Sequence, residues 1–142
     1  LTNKVQAGDL LRRHGIKKTR QREAVLRILA EAEAPLSVDN IHVTLRREDN
    51  TVNLSTIYRM LEMLLEKGLV EQMHHPLGNR FTYALSAYGH SHHLTCTRCG
   101  VSTRMNGCPL ASALGLLEAS HNFRITGHRL EVFGECATCR VK

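Results

Sequence analysis

The sequence predicts an α+β chain in two unequal parts. Apolar residues recur at helical spacing as far as Leu65, two strand-like runs around a Pro-Gly turn follow, and two Cys-x-x-Cys pairs stand far apart in the last third. At 142 residues and 42% hydrophobic, the chain is long enough for one medium domain or two small ones. No apolar run approaches the ~18 residues of a membrane span, and Leu1 to Gln6 lack the apolar core of a signal peptide. The cytoplasm is the expected location, with no membrane partner.

Val5 to His14 reads as a short helix with Leu10 and Leu11 inward, closed by Gly15. From Arg20 to Glu33, Val25, Ile28, Leu29 and Ala32 mark an amphipathic helix that Pro35 cannot continue. Ser37 is placed to cap a third helix, Asp39 suits its positive first turn, and Val38, Ile41 and Leu45 line one side up to about Arg47. Arg46 to Asn50 make a charged turn.

Ser55 is the expected cap of the next helix, whose buried stripe is Ile57, Met60, Leu61, Leu64 and Leu65 and whose end is Gly68. Leu69 to His74 and Arg80 to Leu85 read as strands joined by Pro76-Leu77-Gly78-Asn79. Helices followed by a hairpin predict a winged helix-turn-helix over residues 1–85. Its last helix is then the one expected in a DNA major groove, with the hairpin and the N-terminal bases on flanking phosphates.

Charge supports that surface. Residues 1–27 hold eight basic side chains against Asp9 and Glu23, a surplus equal to the whole formal charge of +6. A solvated helix face explains such a block as simply as a polyanion does, so charge alone leaves both open. The candidate DNA contacts are Arg13, Lys17, Arg20 and Arg22, with Ser55, Thr56, Tyr58 and Arg59 at the helix start.

Ser86 to Gly89 form the expected hinge, and 90–142 a small α/β domain. His93 to Thr95 and Val101 to Met105 alternate like strands, Leu110 to Ser120 follow Pro109 as a helix, and Ile125 to Cys136 read as the last strand. Below ~70–80 residues a domain needs a metal staple or oligomerisation to make up for its small core, and both are expected here.

The staple is Cys96, Cys99, Cys136 and Cys139, with a 36-residue insert between the pairs. Four soft ligands with no open position predict structural zinc; the competing reading is a redox dithiol. On a strand His90 and His92 share a face and His93 points away, so a second site is expected at His90, His92 and His128. Cys108 fits either a fourth ligand or a buried small apolar residue, and His93 is the remaining candidate. This second site would take a regulatory divalent metal, zinc first and Fe2+ second, because its donors are nitrogen and sulfur without a carboxylate. A zinc hydrolase is the rival from another class, but no acid or base stands near the cluster.

Together these pieces resemble the ferric uptake regulator family of dimeric, metal-dependent bacterial repressors. The resemblance is carried by Gly15-Ile16-Lys17-Lys18-Thr19-Arg20-Gln21-Arg22, Leu54-Ser55-Thr56-Ile57-Tyr58-Arg59, the histidines leading into Cys96-Thr97-Arg98-Cys99-Gly100, and Ile125-Thr126-Gly127-His128-Arg129-Leu130-Glu131-Val132. It implies a homodimer on a palindromic, A/T-rich operator, with Tyr58 and Arg59 on DNA and a base near Arg13 in the minor groove. It also implies a hinge metal site of which only His93 is kept here, the other usual ligands being replaced by Ala34, Leu85 and Ser91 and the zinc regulators' cysteine by Ser86. Peroxide members carry an acidic ligand where this chain has Arg104, and the second site's usual glutamate is Ala111, one helical turn after Cys108. The departures count against a peroxide sensor, and the softness of the second site's donors favours a zinc-responsive repressor of metal uptake, with an iron, nickel or manganese regulator as the alternative.

Overall fold

The structure, a computed structural model, describes residues 6–86 and 92–142. The first stretch runs α1 (Ala7–Arg13), α2 (Arg20–Glu31), β1 (Leu36–Ser37), α3 (Val38–Arg46), α4 (Leu54–Glu66), β2 (Val70–His75) and β3 (Arg80–Leu85). The second runs β4 (His93–Cys96), β5 (Ser102–Arg104), α5 (Ala111–His121), β6 (Glu131–Gly134) and α6 (Ala137–Arg140).

Local chemistry sets the helix ends. Thr19 caps α2 by accepting from the Arg22 amide at 3.3 Å, and Ser37 caps α3 by accepting from the Asn40 amide at 3.2 Å. The expected cap at Ser55 is corrected: Asn53 starts α4, its Oδ1 accepting from the Thr56 amide at 2.9 Å, and Ser55 lies inside the helix. The carboxamide reaches the third amide onward, so its backbone is the one that stays extended. At the other end Gly68 adopts φ +71, and the Gly68 and Leu69 amides bond back to Leu65 and Leu64, both at 3.0 Å. This left-handed exit turns the chain directly into β2.

β1, β3 and β2 form an antiparallel sheet in that order, with Leu36 opposite Tyr83 and Gln72 also opposite Tyr83. β2 is therefore an outer strand. The second sheet has the order β5-β4-β6, with β4 antiparallel to β5 and parallel to β6. The strand expected over Ile125 to Cys136 is cut to Glu131–Gly134, because β4 offers only four residues, His93 to Cys96, to pair with it. Residues 123–130 consequently have no regular structure.

One apolar core holds the first stretch. Leu11, Val25, Leu26, Ile41, Leu45, Ile57, Leu61, Leu64 and Leu69 are fully buried in it. The second stretch is built otherwise: among its described residues only His92, His93 and Cys96 are buried. α5 buries none of its residues, and Leu116 and Phe123 are 72% and 68% exposed.

The two stretches meet along β2 and the wing tip. The Arg129 guanidinium donates to the Gln72 carbonyl, and Glu131 accepts from the His74 amide at 3.3 Å. A Cβ on Gly100 would sit 3.2 Å from His75 Cε1 and Leu77 Cδ1, so a side chain there would push the hairpin tip back by a few tenths of an ångström, and the φ of +76 favours glycine as well.

Candidate metal centres and nucleic-acid surface

The parallel pairing of β4 with β6 brings the two Cys-x-x-Cys turns together. Cys96 ends β4 opposite Gly134, and the Thr97 amide continues the register by donating to the Gly134 carbonyl at 2.8 Å. Cys136 then opens α6, and Cys139 lies one turn further on. The ligand atoms of Cys96, Cys99, Cys136 and Cys139 all lie within 4.8 Å of one another, and the Cys99 and Cys136 sulfurs are 3.7 Å apart. A tetrahedron with metal–sulfur bonds of ~2.3 Å has edges of ~3.8 Å, so four thiolates fit a zinc ion here.

Backbone amides prepare that site. The Cys96 sulfur accepts from the amides of Cys136 and Arg98, both at 3.4 Å. The Cys136 amide above all, then that of Cys99, lowers the Cys96 thiol to about 6. Cys139 moves the other way, to about 12, first through its contact with the Cys136 side chain and then through burial. Arg98 ties the turns together by donating to the Cys139 carbonyl at 2.7 Å.

A second cluster stands apart from the first. His92 immediately precedes β4, Cys108 lies just before α5, and His128 is in the irregular stretch before β6. His128 Nε2 is 3.0 Å from His92 Nε2 and 3.3 Å from Cys108 Sγ. Bonds of ~2.0–2.3 Å from one tetrahedral metal to nitrogen and sulfur give edges of ~3.3–3.6 Å, within a few tenths of these separations. The Cys108 thiol, which the sequence leaves open between ligand and packing residue, is thus half-buried and grouped with both imidazoles. The expected partner His90 falls outside the described residues.

His93 does not join this cluster. It is buried, its Nδ1 has no hydrogen-bond partner among the described residues, and it lines a separate cavity of about 260 Å3 with Leu29, Ala34, Leu85 and Arg104. Burial lowers its pKa, and the Arg104 charge adds to that. The alternation of a strand turns His93 away from His92, and β4 follows it.

The surface around α4 is basic and open. Tyr58 is 50% exposed, Ser55 and Arg59 are exposed, and Thr56 is half-buried. Asn53 Oδ1 gathers the hydroxyls of Ser55 and Thr56 at 2.8 and 2.9 Å, which holds this first turn of the helix in place. Arg20, Arg22, Thr56 and Arg59 line one groove between α2 and α4. Arg22 is braced by donating to the Lys17 carbonyl at 2.6 Å, while Arg13 and Lys17 lie exposed around the end of α1. Sequence reasoning missed the residues that join the two stretches, Arg129 and Glu131 with Gln72 and His74. Charged residues near a strand end read as a solvated face, and no signal in the sequence marks their partners.

The model of the ferric uptake regulator family matches residues 13–133. The chain belongs to that family. Its winged helix followed by a dimerisation domain is the family's architecture. Among its relatives, the zinc uptake regulation protein of Mycobacterium tuberculosis (strain H37Rv) is 31% identical over 126 residues, covering 89% of this chain and 96% of the relative. The ferric uptake regulation protein of Bacillus subtilis (strain 168) is 32% identical over 129 residues, covering 89% and 87%. A solved zinc uptake regulator complexed with zinc and DNA matches with a TM-score of 0.64 at 26% identity, over 96% of this chain and 91% of that one. As a family member the chain is a metal-responsive transcription regulator.

Proposed function

We propose that this family member is a zinc-responsive repressor of metal-uptake genes that binds a palindromic, A/T-rich operator as a cytoplasmic homodimer. The observation that carries the reading is the cluster of His92, Cys108 and His128, two nitrogens and a sulfur with no carboxylate. Such a donor set suits zinc better than Fe(II) or Mn(II), which favour oxygen ligands and higher coordination. His90 is the proposed fourth ligand. Cys96, Cys99, Cys136 and Cys139 are assigned to structural zinc, which would supply part of the folding free energy of residues 90–142. The cavity at His93 brings together one imidazole and the Glu33 carboxylate with the Arg104 cation, fewer donors than a divalent ion needs, and His93 is left out of the sensing ligands.

Residues 1–85 are assigned to DNA, 86–89 to the hinge and 90–142 to dimerisation. Ser55, Thr56, Tyr58 and Arg59 face the major groove, while Arg13, Lys17, Arg20 and Arg22 serve the backbone and the adjacent minor groove. The exposed apolar side chains of the second stretch, Leu116 and Phe123 among them, are the partner-facing surface. Metal that binds the DNA-competent geometry more tightly shifts the population toward it, and linkage makes DNA tighten metal binding equally. The reading leaves no catalytic role for the cluster.

The iron reading is favoured by the Bacillus subtilis relative and is separated by one experiment. Operator affinity is measured at fixed salt after chelation, with zinc, iron or manganese added back, because phosphate contacts make affinity steeply salt-dependent. A coupling of about 1–3 kcal/mol predicts a roughly 5- to 150-fold gain with zinc. The same affinity with and without every metal would end the proposal, and a gain with iron alone would replace zinc.

A further inference from the structure

We infer that Arg129 and Glu131 are positioning residues that carry the state of the His92–Cys108–His128 pocket to the DNA-binding wing, an inference that rests on the sensing role proposed for that pocket.

β2 is the outer strand of the wing sheet, so one of its edges has no strand beside it among the described residues. Backbone groups on such an edge seek partners. Gln72 and His74, two residues apart, present theirs on the same side. The Gln72 carbonyl accepts from the Arg129 guanidinium, and the His74 amide donates to the Glu131 carboxylate at 3.3 Å. A donor side chain meets the acceptor and an acceptor side chain meets the donor, at the same two-residue interval. Arg129 and Glu131 together stand in for a missing strand.

The residue before this pair is His128. Residues 123–130 belong to no helix or strand, so side chains must hold them, as Glu118 does by accepting from the Ile125 amide at 2.7 Å. His128 is 3.0 and 3.3 Å from the two other donors of the pocket. With His92 it also lines a cavity of about 240 Å3 whose wall includes Arg129, Glu131 and Gln72. Fixing His128 therefore fixes the backbone from which Arg129 and Glu131 reach the wing. Other approaches between the stretches, His75 and Leu77 beside Gly100 and the residues around His93, involve neither Arg129 nor Glu131.

The test compares the full-length wild type with Arg129→Ala/Glu131→Ala, the conservative Arg129→Lys and His128→Ala. Three quantities are read: uptake of the second zinc equivalent per protomer against a chromophoric chelator, operator affinity with and without that zinc, and hydrogen exchange at the His74 amide. In the wild type, zinc slows His74 exchange and gives the roughly 5- to 150-fold gain of a typical coupling. The double variant takes up the second zinc as the wild type does, but its gain falls to about unity and His74 exchange no longer responds, as expected when the coupling free energy is lost. Arg129→Lys restores part of both. A full gain in the double variant together with its loss in His128→Ala would overturn the inference and leave the sensing pocket standing. A full gain in His128→Ala would overturn the pocket itself, and this inference with it.

Discussion

Residues 6–86 and 92–142 both mix helix and strand but are held together in opposite ways. The first stretch closes a single apolar core in which nine large side chains are fully buried. The second buries two histidines and a cysteine among its described residues, and leaves Leu116, Leu117 and Phe123 in the open. The first is held by hydrophobic burial, and the second, in the function proposed above, by four thiolates on zinc and a second copy of itself. The difference teaches that a regulator can give its DNA-binding half a core that needs no metal while the other half, as proposed, is conditional on it.

The largest effect expected from breaking this contrast is at Cys96. Cys96→Ser removes a ligand whose site contributes apparent binding free energies of about 10–16 kcal/mol in small zinc domains. Residues 92–142 should unfold and the dimer should be lost, while the helical signal of the first stretch survives. Circular dichroism with zinc analysis checks this, and a stable zinc-containing dimer would refute the assignment.

Leu64→Ala acts on the other half. A fully buried leucine in this core should cost about 2–5 kcal/mol, lowering the denaturant midpoint of the winged helix with the zinc content unchanged. Smaller still is Leu116→Ala, which removes an exposed side chain and should leave the protomer's stability alone while weakening dimerisation by about 1–2 kcal/mol per protomer. Sedimentation at several protein concentrations would show it. Asn53→Ala should be mildest, about 1 kcal/mol from the lost cap of α4. Thermal unfolding and operator binding should both register it, because the same side chain holds Ser55 and Thr56.

The first stretch was the more legible in sequence, because burial writes a period into the chain and the sequence from Val25 to Leu65 keeps that period. Ser55 misled because Asn53, Ser55 and Thr56 are all good caps, and only the reach of one side chain to the Thr56 amide separates them. β1 has two residues and makes no pattern. In the second stretch the cysteine spacing spoke clearly, while the alternation from Ile125 onward promised a strand that β4 is too short to pair. Cys108 was undecidable because its sulfur meets His128 across 20 residues of sequence, a contact that only the fold makes.

The wide spacing of the four cysteines also sets a schedule. Cys96 and Cys99 leave the ribosome at least 37 residues ahead of Cys136, and at about 5–20 residues per second that is roughly 2–7 s. Through that interval the winged helix has all the residues of its core, while two thiols wait without the pair that completes their site. The newborn chain is thus a folded DNA reader attached to an unfinished clasp. Its maturation then waits for zinc, whenever that is supplied after Cys139 emerges.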